Sequence, residues 1–413
     1  MELTKEEEKI LTGAYGKAYQ KAMKVLVELG EFYDAKRLVP VKMAFLTIGP
    51  TPGNPGKGKE WLKELVDLGA KFKIPSFYPH ERAENPFDHE LNEKLGAIFA
   101  FQGGGNARNA FYTPVFGQHI VGDGTATTHY MNSYIGARAN TECFIGQYSA
   151  AIIGKTPEYG FHLSENRKGR ILFEIKTILK DETDWSALGY YISKKLGKNY
   201  WDVPVINGIK PDDVTNDELL SFSSSIPAYG AVVHSLLVGV SPESLTLEQA
   251  FDYKKPEQTF IVEAEEINEV YNTFSPEKEK PDMVSIGGFG VNVSIETVIK
   301  TVELLENKKV SKDFPTVILM DGPVRIVSDR MGLTDALRNA GVKIGMEEFL
   351  KDYGYDPSEI TNIPIMSAKK LGFKTVVFAD AKSCHYIGNQ GVNSVLKHIE
   401  ECIKIAVAGR MEV

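Results

Sequence analysis

The stretch YMNSYIGARANTECFIGQYSAAIIGKTPEYGFHLSENRKGR, residues 130–170, decides how this chain is read. In it Asn132, Ser133, Arg138, Asn140, Glu142, His162, Glu165, Asn166, Arg167 and Arg170 crowd between the turn formers Gly136, Gly154, Pro157 and Gly160. A packed helix or strand has no use for so many hydrogen-bonding side chains. A site that orients a small polar or anionic ligand does, because arginine offers a planar fork and asparagine and histidine offer directional donors.

Outward from that stretch the chain has the make-up of a globular enzyme. Its 413 residues suffice for two or three domains, with 43% hydrophobic and 25% charged residues. A net charge of −8 argues against a general nucleic-acid or anionic-membrane partner. No apolar run reaches the roughly 20 residues of a membrane helix. The acidic, amphipathic start MELTKEEEKI is unlike a secretory signal. Three scattered cysteines, Cys143, Cys384 and Cys402, form no disulfide framework and fit a reducing, cytoplasmic setting.

Periodicity places the elements. Thr4 and Glu7 form a capping-box pattern, and Leu11, Ala14, Ala18, Ala22, Val25 and Leu29 predict one helix stopping at Gly30. A second helix is expected around WLKELVDLGA (61–70), with short strands at KIPSFYP (73–79) and AIFAF (97–101). From about residue 225 strands and helices alternate. AVVHSLLVGV leads to a helix opened by Ser244 or Thr246, DMVSIGG to SIETVIKTVELLE, and TVILMDG to a further helix. TVVFAD is followed by a C-terminal helix over VNSVLKHIEECIKIAVAG (392–409). This rhythm predicts an α/β protein with largely parallel sheets. The charged stretch at 275–282 divides it into residues 1–280, with the N-terminal helix and polar pocket, and residues 281–413.

Several motifs have two readings. GNPGKGKE (53–60) has the glycine and lysine spacing of a phosphate loop, but Glu60 stands where Ser or Thr should be, so a surface loop is expected. QGGGNAR (102–108) and GGFGVN (287–292) lack the third glycine of a dinucleotide fingerprint. Cys384, between Lys382 and His385, reads as packing rather than as a nucleophile. His119 sits among turn glycines and is a catalytic candidate, whereas His234 is either a satisfied core histidine or a ligand contact. The histidine spacing supports no zinc set.

The pattern N-S-x-x-G-A-R-x-N-x-E, followed by A-A-x-x-G-x-T-P-x-Y-G-x-H-L-x-E-N-R, closely resembles the aconitase X family, and the likeness runs almost end to end. The resemblance implies the three α/β/α domains of aconitases after an N-terminal helical segment. The swivelling domain would be carried on a separate small subunit, as in the two-subunit archaeal type. It implies a hydro-lyase (dehydratase) acting on a small hydroxy-carboxylate or a phosphorylated hydroxy acid such as mevalonate 5-phosphate. His119, Lys382 and Ser133 are then the catalytic candidates, and Asn132, Arg138, Asn140, Glu142, His162 and Arg167 the substrate-binding ones. Family members hold an iron–sulfur cluster with cysteines before Thr-Pro-Tyr, in Gly-Cys-Pro-His and in Asp-Thr-Cys. Here those regions read GGGNARNAFYTPVFG, SIGGFGVNVS with Gly288 in the cysteine's place, and GVKIGMEEFL. No cluster is therefore expected. The family's Gly-Glu-His pattern is GQHIVGDGTA, keeping His119, and Thr141 replaces a second arginine. These departures leave a second reading open, a non-catalytic subunit serving as a scaffold or ligand-binding partner in a complex.

Overall fold

The computed structural model describes residues 1–46, 55–79, 86–100, 113–122, 124–197, 199–275, 281–288, 292–352, 354, 368–369 and 371–411. Three parallel sheets follow one another along the sequence. The first has the order Ala44–Phe45, Ser76–Pro79, Ile98–Ala100, with helices Pro55–Asp67 and Pro86–Leu95 in the crossovers. The second runs Leu236–Leu237, Pro204–Asn207, Ile171–Ile175, Gln258–Val262. The third runs Lys343–Ile344, Thr316–Ile318, Met283–Ile286, Thr375–Phe378, Asn393–Leu396, all from the segment after residue 281. Every strand pair in these three sheets is parallel, and Leu38–Pro40 pairs antiparallel with Lys155–Pro157. Met283–Ile286 and Thr375–Phe378 are buried at every position, as strands covered on both faces must be. The expected α/β architecture is what forms.

Three local expectations are revised. The N-terminal helix is two helices, Lys5–Leu11 and Lys17–Phe32. The Thr4–Glu7 capping box is present, but Gly13 and Gly16 take φ of +92° and +101°, which no continuing helix allows. Gly30 lies inside the second helix, where a Cβ would come within 2.5 Å of Met1 Sδ, so close approach rather than termination accounts for it. The segment assigned to a single C-terminal helix begins with the strand Asn393–Leu396, paired with Thr375–Phe378, and only Ile399–Ala408 is helical. Pro55 to Glu60 of the phosphate-loop-like stretch form the first turns of a helix. QGGGNAR (102–108), the centre of GGFGVN and residues 276–280 lie outside the described residues.

Thr246 opens the short helix Leu247–Ala250 with its own capping box. The helices Glu182–Leu196 and Asn216–Gly230 pack along each other, and Ala381–Asn389 of the third region packs on both. Through them the second and third sheets share one apolar core, in which Phe173, Trp185, Phe222, Phe378 and Cys384 are all buried.

Candidate active site

The chain from 113 to 122 runs beside 136–141. Arg138 N–H donates to Gln118 O (2.8 Å) and Ile120 N–H to Arg138 O (3.0 Å), which sets His119 next to Arg138. The turn into this segment is a π-helical coil, Met131–Ile135, closed by Gly136 at φ +72°. Only glycine fits there, since a Cβ would lie 2.4 Å from Phe116 Cδ2. Opposite, the 3-10 turn Gly160–His162 is clamped by Asn140, whose amide donates to Tyr159 O (3.1 Å) and whose Oδ1 accepts Phe161 N–H (2.9 Å).

His162 and His119 then meet Nδ1 to Nδ1 at 2.9 Å, with ring centroids 5.1 Å apart. Such a contact needs one N–H and one lone pair, so a single proton is shared. Burial lowers both imidazole pKa values; Arg138 adds to the effect on His119, and His119 and both Arg167 and Arg138 to that on His162. The pair is neutral near pH 7. His162 Nε2 is buried with no hydrogen-bond partner among the described residues.

Arg138 is half-buried. Its Nη1 donates to His162 O (2.8 Å) and its Nη2 to Ser164 Oγ (2.7 Å). Among the described residues no carboxylate stands within 4.0 Å of it. Glu142, its nearest acidic neighbour in sequence, points elsewhere: Glu142 Oε2 accepts from Tyr159 OH (3.2 Å), and burial pushes its carboxyl up to about 7. A partly buried guanidinium held by neutral acceptors, beside an uncharged histidine pair, leaves a positive charge that no described carboxylate neutralises.

The remaining predicted site residues spend their polar groups on the protein itself. Asn132 donates to Ala139 O and Val233 O (both 2.9 Å) and accepts Ala139 N–H (2.9 Å). Ser133 Oγ accepts Ser235 N–H (2.9 Å) and lies 3.4 Å from His129 Nε2. Arg167 is fully buried, paired with Glu243 through Nε (3.0 Å) and Nη2 (2.5 Å), and donates to Asn132 O (2.9 Å) and Phe161 O (3.2 Å). Lys382 stands on the buried first turn of Ala381–Asn389, next to Asp380. The structure thus unites His119, Arg138 and His162, with Asn132, Ser133, Asn140, Glu142 and Arg167 on the same segment around them.

Sequence reasoning missed Glu243 and His129. His129 is buried between Ser223 (2.9 Å) and Ser235 (2.9 Å), and burial lowers its pKa to about 3. His234 is buried with neither ring nitrogen hydrogen-bonded among the described residues, its Nε2 3.7 Å from Glu243 Oε2. Of the two readings left open for it, a satisfied core histidine does not describe it. Nothing local in the sequence marks the contacts of His129 with Ser223 and Ser235 or of Glu243 with Arg167, which join residues dozens of positions apart.

Three parallel sheets and two neutral imidazoles beside an arginine that meets no carboxylate among the described residues define an α/β protein with an enzyme-like polar site. Residues 1–96 match the aconitase X first domain and residues 169–272 the aconitase X second domain. The phosphomevalonate dehydratase large subunit of Thermococcus kodakarensis is 31% identical over 98% of this chain and 100% of that one. The phosphomevalonate dehydratase large subunit of Methanosarcina mazei is 30% identical, covering 99% of this chain and 98% of its own. Cis-3-hydroxy-L-proline dehydratase of Pseudomonas aeruginosa is 22% identical, over 98% of this chain and 70% of its own. The crystal structure of Thermococcus kodakaraensis aconitase X in its holo-form superposes with a TM-score of 0.81 at 30% identity, covering 98% of this chain and all of that one. The chain belongs to the aconitase X family.

The family's cysteine-held cluster does not fit these residues. Cys384 and Cys402 are buried, with burial pushing both thiols up, away from the thiolate form that ligates iron. Cys143 is at the N-terminus of Phe144–Ile153, and the three cysteines form no ligand group. At Gly288 even a Cβ would fall 1.7 Å from Ser383 Oγ. Ser383 occupies the space that a cysteine side chain would need.

Proposed function

We propose that this chain is the large subunit of an aconitase-X-type dehydratase that removes water from a small anionic hydroxy acid. The single observation that carries the reading is Arg138, half-buried, unpaired with any described carboxylate and adjoining the neutral His119–His162 pair. Relatives named phosphomevalonate dehydratase and cis-3-hydroxy-L-proline dehydratase make mevalonate 5-phosphate and cis-3-hydroxy-L-proline the first substrates to try. Dehydration breaks a C–H and a neighbouring C–O bond and forms a C=C bond. With Nδ1–H donated to His162, His119 offers an Nε2 lone pair that takes the proton from carbon. The resulting imidazolium returns that proton to the departing hydroxyl, which leaves as water. Arg138 holds the substrate anion in register, with Asn132, Ser133, Asn140, Glu142 and Arg167 keeping the walls in place.

The relatives' designation as large subunits supports a small partner chain, for which a swivelling domain over the crevice is the assignment we favour. A second reading, a ligand-binding scaffold without turnover, is favoured by one observation, the sealed position at Gly288.

Calorimetry with both candidate substrates, on the chain alone and co-expressed with a candidate small subunit, tests the proposal. Arg138→Lys keeps the charge and loses the fork, so affinity should fall about ten- to a hundredfold with little change in the melt. Unchanged affinity in Arg138→Lys, or early unfolding of that variant, would overturn this placement. Binding without dehydration in the reconstituted complex would select the scaffold.

A further inference from the structure

The second sheet has a pocket at the end where its strands begin. Gly169 and Arg170 lead into Ile171–Ile175, Trp201 comes shortly before Pro204–Asn207, and Glu257 directly precedes Gln258–Val262. All four line one cavity of about 540 Å³, a size suited to a small organic ligand. Its lining ends at Glu257, so the third sheet takes no part in it, and His119, Arg138 and His162 are not among its walls.

Aromatic rings supply part of the wall. Trp201 is 40% exposed, and its indole lies against Gly160, which has φ +56°. A Cβ at Gly160 would fall 2.5 Å from Trp201 Cζ3, so the missing side chain makes room for the ring. Tyr33 is 42% exposed and stacks face to face on Tyr159, with centroids 4.1 Å apart. Flat rings held in place by their neighbours favour a planar ring system as occupant.

Charge narrows the class of ligand. Arg170 is held by Glu257 (2.8 Å) and Asp202 (3.3 Å), and Lys254 lies 3.4 Å from Asp252. The side chains of Lys168, Lys255 and Glu165 line the same pocket with no hydrogen bond or ion pair among the described residues. Two ammonium groups are thus free to meet an anion, and one carboxylate is free to accept an N–H. A simple carboxylic acid would leave the rings and Glu165 unused, and a neutral ring would leave the lysines unused. A nucleoside phosphate whose base carries an exocyclic amine uses all three features. The loop beside Lys254 and Lys255 adds a further sign. Asp252 and Tyr253 take φ of +52° and +59°, left-handed conformations that are costly for residues with side chains and that gather at ligand clamps.

We propose that this pocket is a nucleotide-binding site, in which the base stacks on Trp201 and Tyr33, its amine donates to Glu165, and Lys168 and Lys255 meet the phosphate. The claim stands independently of the dehydratase reading, since none of its residues is assigned to that reaction.

Calorimetry of the whole chain with AMP, alongside its tryptophan fluorescence, tests the proposal. Saturable binding with quenching of Trp201 emission is expected, and adenosine or inorganic phosphate alone should bind about tenfold more weakly or worse. IMP carries a carbonyl oxygen in place of the amine, which would face the Glu165 carboxylate, so it too should bind about tenfold more weakly or worse than AMP. Glu165→Gln offers a donor there and should shrink that preference to under about threefold. Trp201→Leu should remove the quenching and weaken AMP about tenfold, and Lys168→Gln with Lys255→Gln should weaken it similarly and flatten its salt dependence. Arg138→Lys should leave AMP binding unchanged. The proposal is overturned if AMP does not bind saturably, if IMP or phosphate alone binds as well as AMP, or if Arg138→Lys abolishes binding. Should Trp201→Leu fail to fold, an AMP preference unaltered by Glu165→Gln would overturn it equally.

Discussion

Arg167 and Glu243 are expected to hold the crevice together rather than to touch substrate, and removing either one should unfold the protein early. Arg167 is fully buried, and the Glu243 side chain is 15% exposed. The guanidinium spans both Glu243 oxygens, the Asn132 and Phe161 carbonyls and Asn132 Oδ1, and so ties the π-helical coil to the turn at 160–162 and to residue 243. Arg167→Met fills the volume but strands a carboxylate and two buried carbonyls. Glu243→Gln leaves a fully buried cation without a counter-charge. Breaking one partner of a buried pair costs about 3–5 kcal/mol. Replacing both, Arg167→Met with Glu243→Leu, removes the stranded charge, so the double variant should be more stable than the sum of the singles by about 1–3 kcal/mol. Urea titrations at constant m-value, with a double-mutant cycle, measure this. The reasoning fails if each single change costs under about 1 kcal/mol, or if ligand affinity drops while the urea midpoint stays put; Arg167 would then be a substrate ligand.

Glu142→Gln should abolish a pH effect. Burial raises the Glu142 carboxyl from 4.5 to about 7, so the folded state holds a proton that the unfolded state has lost between those values. Stability therefore falls as pH rises from 4.5 to 7, by up to about 3 kcal/mol. The variant should lose that slope in melts taken across this range, and an unchanged slope would refute the assignment. His398→Asn should act with the same sign in a higher pH window. The hydrogen bond to Asp181 raises the His398 pKa against burial, so its contribution is complete below the unfolded value of about 6.5 and disappears as pH rises through the folded pKa. The variant should be less stable than the parent at pH 6 and equal to it at pH 9; equal melts at both would sink the claim. Gly288→Cys should cost about 1–3 kcal/mol through overpacking against Ser383 and gain no stoichiometric sulfide on anaerobic reconstitution with iron. A stable variant with a full complement of iron and sulfide would show that the site can open.

Apolar runs ending in glycine or aspartate before an amphipathic segment were sufficient to reveal three of the third sheet's five strands, Met283–Ile286, Thr316–Ile318 and Thr375–Phe378, because each is buried at every position and leaves no polar phase to misread. Periodicity failed where two elements share one phase. Leu11 and Ala18 keep helical spacing across Gly13 and Gly16, so the break is carried by two backbone conformations that hydrophobicity does not register. Val395 and Leu396 likewise stand in step with Ile399 and Cys402, and the strand is fixed by its pairing with Val377 and Phe378.

The polar density of 130–170 mixes two causes. A loop-built site must satisfy its own backbone before it can offer anything to a ligand, and loops near the core have no water to do so. Asn132, Asn140 and Arg167 meet that internal demand, while Arg138 and His119 keep capacity in reserve. Composition cannot separate the two groups, because both tasks call for the same side chains. What separates them is a distant partner: Glu243 stands 76 positions from Arg167, and no described carboxylate stands within 4.0 Å of Arg138. Candidate functional residues in this chain are therefore set apart by what the fold leaves unpaired among the described residues, a property of long-range packing that the local pattern narrows to a neighbourhood and cannot resolve to an atom.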